Sequence, residues 1–470
     1  MEPDATVSPG AVLAELAHIA GSSPRSSGRR GATGLMSARN GPGATAPAPS
    51  NPRTVFAAAA IGSAVEYYDF FAYGTAAALV FPTVFFPSLG PEAARLASFA
   101  TLGAAFVARP TGAAVFGHFG DRIGRKRILV LTLLLMGVAT AAVGLVPGAD
   151  RIGGAAPALV LALRLVQGFA LGGEQGGAVV LATESAPKGR SGLMGSSGAV
   201  GAALGFLLSS LSFLLVSLLG AGQSAAFLAW GWRVPFLLSS LLILIGLAVR
   251  RRVSESPEFL AARQSGDLVR APLAALLRQR PVQLALVTGS MFALYMISFI
   301  RDSFFVSVAR GELGLPFAEI LAVNTVGGLI WLAVVVVVGY YSDKLPRKRL
   351  YILGLVLVSL WSVVIMPVLT SGGLAGFAAA VLLSVLALGV TNGAFAAFLV
   401  KDFPVQLRYS GFAVSFNTAG IIGGALPPIL AASLYSWRGP GAVGIMLLAF
   451  SLLSLACAVA SRRFVDDEAR

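Results

Sequence analysis

The chain carries twelve apolar runs, each long enough to cross a membrane as a helix. A helix needs about 20 residues to cross about 30 Å of hydrocarbon. Backbone polar groups need partners inside lipid, and these runs lack the short alternating segments of a barrel. The sequence therefore predicts an all-α membrane protein with twelve transmembrane helices in two six-helix pseudo-repeats. The runs lie near residues 55–80, 96–117, 127–147, 156–183, 193–219, 231–250, 283–309, 317–341, 349–370, 374–399, 410–435 and 441–461.

Composition excludes several other classes of protein. Hydrophobic residues make up 56% of the chain and charged residues only 12%, which argues against a water-soluble globule. The only cysteine is Cys457 and the only histidines are His18 and His118, so no disulfide framework, metal centre or histidine relay is expected. No nucleophile with a base and no Gly-x-x-x-x-Gly-Lys-Ser/Thr loop is present, so we expect neither an enzyme nor an ATP-driven pump, and no cofactor.

Basic residues predict the orientation, because cytoplasmic loops accumulate Lys and Arg. About 27 basic residues lie in the tails and alternate loops, while the opposite loops hold Arg95, Arg151, Arg310 and Arg438. Both termini are thus expected in the cytoplasm, and this distribution accounts for the net charge of +14 without a nucleic-acid partner. The predicted divisions are a disordered tail at 1–52, six-helix bundles at 53–250 and 282–462, a central loop at 251–281 and a tail at 463–470.

The two halves of the chain repeat a loop motif. Residues 117–127 (GHFGDRIGRKR) match residues 339–349 (GYYSDKLPRKR) in register, each after the second helix of its half. Residues 184–190 and 402–408 match less closely, each after a fourth helix. Such duplication is common in secondary transporters.

These motifs resemble the major facilitator superfamily, and more narrowly its metabolite:proton symporters, which carry α-ketoglutarate, shikimate, citrate, proline or betaine. The resemblance covers nearly everything after residue 55. It is carried by the loop motif and by residues 66–74 (EYYDFFAYG), 109–110 (RP), 164–174 (RLVQGFALGGE), 230–236 (WGWRVPF) and 255–257 (ESP). The seventh helix departs from the family pattern, which has a Glu-Asn pair followed by Phe-Tyr. In this chain residues 291–302 read MFALYMISFIRD and end with Arg301 and Asp302.

The resemblance implies that the loop motif is a gate. A carboxylate at this interface can cap the positive N-terminal end of a neighbouring helix, such as the one that starts near Ser410 and Gly411. We expect Asp121 to make this contact and Asp343 to be its weaker copy. The implied gating residues are Gly117, Asp121, Arg122, Gly124, Arg125, Asp343 and Arg347.

Ionisable groups inside the membrane are costly, so they are candidates for function. Glu66 and Asp69 lie three residues apart on one face of the first helix, and Tyr73 extends that face by one turn. This face predicts either a polar wall of the transport cavity, with Tyr73 as a substrate-binding residue, or a structural ion-pair or hydrogen-bond site. Arg109 can grip a carboxylate with two hydrogen bonds, so it is either a substrate ligand or the partner of Glu66 or Asp69.

Four further residues are candidates with open alternatives. The resemblance associates Arg164 with proton coupling, whereas the glycines near it favour helix packing. Glu174 either takes part in binding the proton or the substrate, or has no such role. Arg233 is either a second anion ligand or a neighbour of the interfacial aromatic residues Trp230 and Trp232. Arg301 is expected near the outer mouth, where it meets an acidic group or water and helps to set substrate preference.

Together these features predict a proton-coupled symporter for a small polar metabolite, an organic acid or a zwitterion, in the inner membrane. Without a mid-membrane histidine, the proton must ride on Glu66, Asp69 or Glu174. Substrate, protons and membrane lipid are the expected partners, and a monomer is the expected state. The alternatives are an exporter or exchanger of the same fold, or a membrane receptor that does not transport.

Overall fold

The computed structural model describes residues 52–123, 125–172, 182–183, 186–187, 189–221, 226–251, 272–399, 402–403 and 405–461. Its long helices are α1 to α12 in chain order, and short helices connect some of them. The first six are α1 Pro52–Leu79, α2 Pro91–Ile123, α3 Arg125–Leu145, α4 Ala155–Gly172, α5 Ser197–Val216 and α6 Arg233–Arg251. The second six are α7 Pro281–Gly311, α8 Phe317–Tyr341, α9 Arg347–Ser371, α10 Gly373–Leu399, α11 Val405–Ala419 with its continuation Leu426–Arg438, and α12 Pro440–Ala460.

Within the described ranges, ten helices are long and apolar enough to cross a membrane. Two more complete the predicted twelve. Helix α3 contributes the shorter apolar stretch Val130–Leu145. Helix α1 has 28 residues and carries Glu66 and Asp69 inside its span. The prediction of an all-α membrane fold is confirmed.

Helix pairing repeats between the two halves, α1–α6 and α7–α12. In the first half α1 packs on α5, α2 on α4, and α3 on α6. In the second half α7 packs on α11, α8 on α10, and α9 on α12. This correspondence is the pattern expected of two six-helix pseudo-repeats. The predicted divisions at 1–52 and 463–470 fall almost entirely outside the described residues.

Both ends of the described chain lie at one face of the bundle, which we call the terminal face. Val55 at the start of α1 packs against Met194, close to the start of α5. At the same face, the Lys348 ammonium donates a hydrogen bond to the carbonyl of Ser461, at 2.6 Å. The opposite face is called the distal face. This placement is expected, because a chain that crosses a membrane an even number of times has both ends on the same side.

Close contact between α2 and α4 depends on glycine. A Cβ added at Gly168 would overlap the backbone of Ala105, and one added at Gly172 would overlap the carbonyl of Arg109. On the facing helix, a Cβ at Gly112 would overlap the backbone of Phe169. Small residues let transmembrane helices approach backbone to backbone, so these glycines bring Arg109 close to the polar face of α4.

Among the described residues, π-helical turns interrupt two long helices of the second half, which the sequence did not predict. One turn is Ile300–Phe305 in α7 and the other is Gly420–Ala425 in α11. These helices are paired within the second half and both face the first half. Such turns are frequent at functional sites because they change the direction of side chains along a helix.

Candidate functional site

A fully buried polar network joins α1, α3 and α4. The Arg164 guanidinium lies 3.1 Å from the Asp69 carboxylate. The other carboxylate oxygen accepts hydrogen bonds from the Thr140 hydroxyl at 2.7 Å and the Gln167 amide at 3.0 Å. Arg164 and Gln167 lie three residues apart on α4, so they face Asp69 together. Asp69 is only 1% exposed, and this set of donors compensates its charge.

Arg109 lies beside this network, against the second half. Its guanidinium is 4.6 Å from the ring centre of Phe70 and 4.4 Å from that of Phe106, distances at which a cation is attracted to an aromatic face. Arg164 lies 4.7 Å from the same Phe70 ring. Arg109 also interacts electrostatically with Asp69 and with Tyr295 of α7. The ion pair of Asp69 is therefore with Arg164, which the sequence did not indicate as its partner, while Arg109 interacts with Asp69 electrostatically.

The three residues predicted to share a face of α1 have different neighbours. Asp69 and Tyr73 both meet Arg164, whose guanidinium lies 4.0 Å from the Tyr73 ring centre. The Tyr73 hydroxyl donates to Thr101 at 2.7 Å. Glu66 is buried and interacts with Tyr295 of the second half. The polar face of α1 thus contacts both α4 and α7.

Arg233 is held by backbone carbonyls. It donates to the carbonyl of Gly144 at 2.9 Å and to that of Val146 at 2.7 Å, and it stacks on Trp232 at 4.5 Å. Trp232 is fully buried, whereas Trp230 is 58% exposed, so the two tryptophans do not form one interfacial pair. These contacts tie the start of α6 to the end of α3 and favour the structural alternative for Arg233.

Arg301 and Asp302 are not at an open outer mouth. Both are 0% exposed and lie on the π-helical turn of α7. The Arg301 guanidinium lies 3.7 Å from the Phe206 ring centre, while the Asp302 carboxylate accepts from the Thr75 hydroxyl at 3.4 Å. Aromatic side chains of three helices surround the Arg301 guanidinium, which also interacts electrostatically with the adjacent carboxylate of Asp302. Adjacent residues on a helix point in different directions, which separates the pair.

Asp343 makes a contact between the halves at the terminal face. Its carboxylate accepts hydrogen bonds from the backbone amides of Gly192 at 2.6 Å and Leu193 at 3.0 Å. These amides belong to the first turn of the short helix Ser191–Gly195, where a negative charge is favoured. Arg347 completes the contact through Ser191 at 2.7 Å and Asp343 at 3.1 Å. The cap expected of Asp121 is thus observed for its copy in the second half.

Neutralising this cap should loosen the terminal face. Asp343→Asn removes the charge at the helix end and weakens two charge-assisted hydrogen bonds. The contact between the halves should lose about 1–3 kcal/mol of stabilising free energy. We expect a cysteine at Ser196, which is buried beside Gly339, to react several-fold faster with a soluble thiol reagent. The control is Glu319→Gln in the first turn of α8, the helix that ends just before Asp343, and this residue lies near the distal face. The prediction would be contradicted if the cysteine at Ser196 reacted at the same rate in the otherwise native protein, in Asp343→Asn and in Glu319→Gln.

The halves also touch at the distal face. Arg95 of α2 lies 3.7 Å from Glu312, just after α7. The rings of Phe227 and Phe317 are 5.3 Å apart. With the Asp343 contact at the other face, the residues between the halves are enclosed from both sides.

Several predicted residues lie outside what the structure describes. This applies to Glu174, and also to the side chains of the loop motif in the first half: Gly117, Asp121, Arg122, Gly124 and Arg125. In the part of the chain that is described, no group of three or more His, Cys, Asp or Glu residues is arranged to hold a metal ion.

Aromatic residues at the centre of the interface were missed by the sequence analysis. Phe299 of α7 lies 5.1 Å from Phe106 and 6.0 Å from both Phe70 and Phe71, measured between ring centres. Phe206 of α5 lies 6.0 Å from Trp331 of α8. The adjacent phenylalanines of the 66–74 motif were the available signal, but an aromatic residue in an apolar helix does not reveal its partners.

Comparison with known proteins gives consistent results. The Major Facilitator Superfamily profile matches residues 59–419. The inner membrane metabolite transport protein YhjE of Escherichia coli is 41% identical over 413 residues, covering 87% of this chain and 93% of that protein. The shikimate transporter of Escherichia coli is 36% identical over 402 residues, covering 84% of this chain and 90% of that transporter. A crystal structure of a D-xylose-proton symporter aligns with a TM-score of 0.68 and 18% identity, covering 88% of this chain and 98% of that protein. At this identity the likeness is one of fold.

Proposed function

The chain belongs to the Major Facilitator Superfamily and is a transporter of metabolites, and from this premise we propose that it is a proton-coupled symporter of a small carboxylate-bearing metabolite or zwitterion. The observation that carries the proposal is the buried Asp69–Arg164 pair with Arg109 beside it, all three around Phe70 and next to the second half. The pair supplies a carboxylate for the proton, and Arg109 supplies a cation for the substrate.

Coupling follows from the electrostatics of this cluster. Arg109 interacts with Asp69, so its positive charge disfavours a proton there. A substrate carboxylate bound at Arg109 reduces that field, and proton binding at Asp69 becomes more favourable. Binding free energies are reciprocal, so a bound proton likewise favours the substrate. The resulting stoichiometric loading is what symport requires.

Alternating access is the proposed mechanism of transport. The two bundles, proposed at residues 53–250 and 282–462, rock about the central aromatic contacts, with the Asp343 cap closing one side. Arg164, Glu66 and Glu174 are proposed to modulate proton binding, and Tyr73 to support Arg164. We place the protein in the inner membrane as a monomer, with both termini in the cytoplasm and the loop motifs as its gates.

Uptake into proteoliposomes tests this function. An imposed inward proton gradient should drive accumulation of at least one member of a panel of α-ketoglutarate, citrate, shikimate, proline and glycine betaine. A protonophore should abolish the accumulation while leaving exchange of labelled for unlabelled substrate. Accumulation that persists with the protonophore, or export with an inward gradient, would favour an exchanger or exporter instead.

The proposed orientation has its own test. Leu345 at the terminal face is 50% exposed, and Gly154 before α4 is also exposed. With the native Cys457 replaced by serine, a cysteine at Gly154 should react with a membrane-impermeant maleimide in intact cells, and one at Leu345 only after the cells are opened. The reverse pattern would place the termini outside.

A further inference from the structure

Arg301 is a buried cation whose hydrogen-bonding groups are unused. Its guanidinium lies over the rings of Phe206 at 3.7 Å, Trp331 at 5.0 Å and Phe71 at 5.9 Å. Throughout the described chain, none of its three nitrogens has a hydrogen-bond partner. Aromatic faces attract the charge, but they do not accept hydrogen bonds in the plane of the guanidinium. These N–H groups therefore have no acceptor among the described residues of the protein.

The neighbouring carboxylate of Asp302 interacts electrostatically with Arg301 but accepts none of its hydrogen bonds. Asp302 turns towards α1, where it lies against Thr75 and Gly74. A Cβ at Gly74 would overlap this carboxylate, so it is packed closely against the helix. No ion pair within 4.0 Å joins Arg301 to a carboxylate among the described residues.

A second donor in the same cage is also unused. The indole N–H of Trp331 is buried without an acceptor, although the Arg301 guanidinium lies over its ring. Leaving a buried donor unsatisfied costs about 1–3 kcal/mol, and more for a charged group. The unused groups of Arg301 and Trp331 are all donors, whereas the unused oxygen of the adjacent Asp302 faces α1. A small anionic group with several oxygen atoms would match the donors of this cage.

We propose that Arg301, with the Trp331 indole, forms a second anion subsite that takes a carboxylate group of the substrate. A planar carboxylate matches the two parallel N–H groups along one edge of a guanidinium, and stacking on Phe206 fixes the plane in which it binds. Phe71 and Phe206 come from the first half, whereas Arg301 and Trp331 come from the second, so the ligand bridges the halves.

This inference rests on the proposed function, in which Arg109 of the first half takes one carboxylate. A substrate that engages both arginines carries two anionic groups. The transported metabolite is therefore a dicarboxylate, held between one arginine of each half. Its binding would draw the halves together around the central aromatic residues.

Calorimetric titration of the purified full-length protein tests the subsite, with α-ketoglutarate as the dicarboxylate and shikimate as the monocarboxylate. In Arg301→Gln the dissociation constant for α-ketoglutarate should rise about 30-fold or more, while that for shikimate changes less than about threefold. Trp331→Phe replaces the indole with a smaller aromatic ring that has no N–H, so a rise of about fivefold is expected for α-ketoglutarate alone. The matched control is Arg310→Gln, at the end of the same helix and outside the cage.

The outcomes separate the two proposals. If Arg109→Gln weakens both ligands and Arg301→Gln weakens only α-ketoglutarate, both proposals stand. If Arg301→Gln changes neither, weakens both equally, or the native protein does not bind α-ketoglutarate, the dicarboxylate subsite is overturned. In that case weaker binding of shikimate by Arg109→Gln would still support the proposed function. If neither arginine matters, both proposals fail.

Discussion

Asp69→Asn is expected to abolish proton-driven accumulation of substrate while exchange across the membrane continues. Asparagine keeps the shape of the side chain and an oxygen to accept from Thr140 and Gln167, but it cannot take up a proton in the transport cycle. Movement of substrate then no longer depends on the proton gradient. The ratio of internal to external substrate should fall to about 1, measured in proteoliposomes with an imposed gradient.

The substitution also removes the counter-ion of Arg164. Breaking a buried pair by removing one partner costs about 3–5 kcal/mol, because the other charge stays buried. A double variant, Asp69→Asn with Arg164→Gln, removes both charges and so separates loss of coupling from loss of folding. It should exchange substrate without accumulating it.

Glu66→Gln, on the same helix, and Glu174→Gln are the controls for other proton carriers. Either should retain some accumulation if Asp69 carries the proton. Undiminished accumulation in all three single variants would leave none of the proposed carboxylates as the proton carrier. The assignment would then change to facilitated diffusion or to coupling with another ion.

Gly172→Ala is expected to damage both stability and transport. The added methyl group would overlap the carbonyl of Arg109 and lie 2.6 Å from the Ala113 nitrogen, so the backbones of α2 and α4 must separate. Overpacking of this kind costs about 1–3 kcal/mol, and backbone contacts relax poorly. Since Arg109 itself is displaced, uptake should fall at least about tenfold, and the melting temperature of the purified protein should drop by several degrees.

Gly441→Ala is the matched control. Gly441 lies in the first turn of α12, and a Cβ there would meet nothing within 4 Å. Alanine is a better helix former than glycine, so stability should be unchanged or slightly higher. A melting temperature of Gly172→Ala equal to that of the native protein would show that the two helices are not in the contact described.

The architecture was largely predictable because lipid limits the choice of structure. Twelve apolar runs, the repeated loop motif and the distribution of Arg and Lys led to two six-helix pseudo-repeats. The glycines at 168 and 172 were predicted to pack helices, and they lie in such a contact. The π-helical turns at Ile300–Phe305 and Gly420–Ala425 were not predicted, because local sequence does not distinguish them from regular helix.

The partners of the buried charges were harder to predict. Spacing on α1 indicated one face for Glu66, Asp69 and Tyr73, but Arg109 was the only partner it suggested for Asp69, and the ion pair is with Arg164. The choice of partner depends on how α1 packs against α4, and Thr140 of α3 gave no signal of its own. Arg301 was expected near the outer mouth of the transport path, but its side chain is fully buried. Periodicity gives the direction in which a side chain points from its own helix, and it does not show which other helices cover that side chain.

Proton movement driven by the substrate is the most direct test of symport. Proteoliposomes containing the native protein and an internal pH indicator would be given an inward gradient of α-ketoglutarate or shikimate, with no proton gradient imposed and the membrane potential clamped. The account predicts that the interior acidifies as substrate enters, and that Asp69→Asn abolishes the acidification. Substrate entry without any change of internal pH in the native protein would contradict proton coupling.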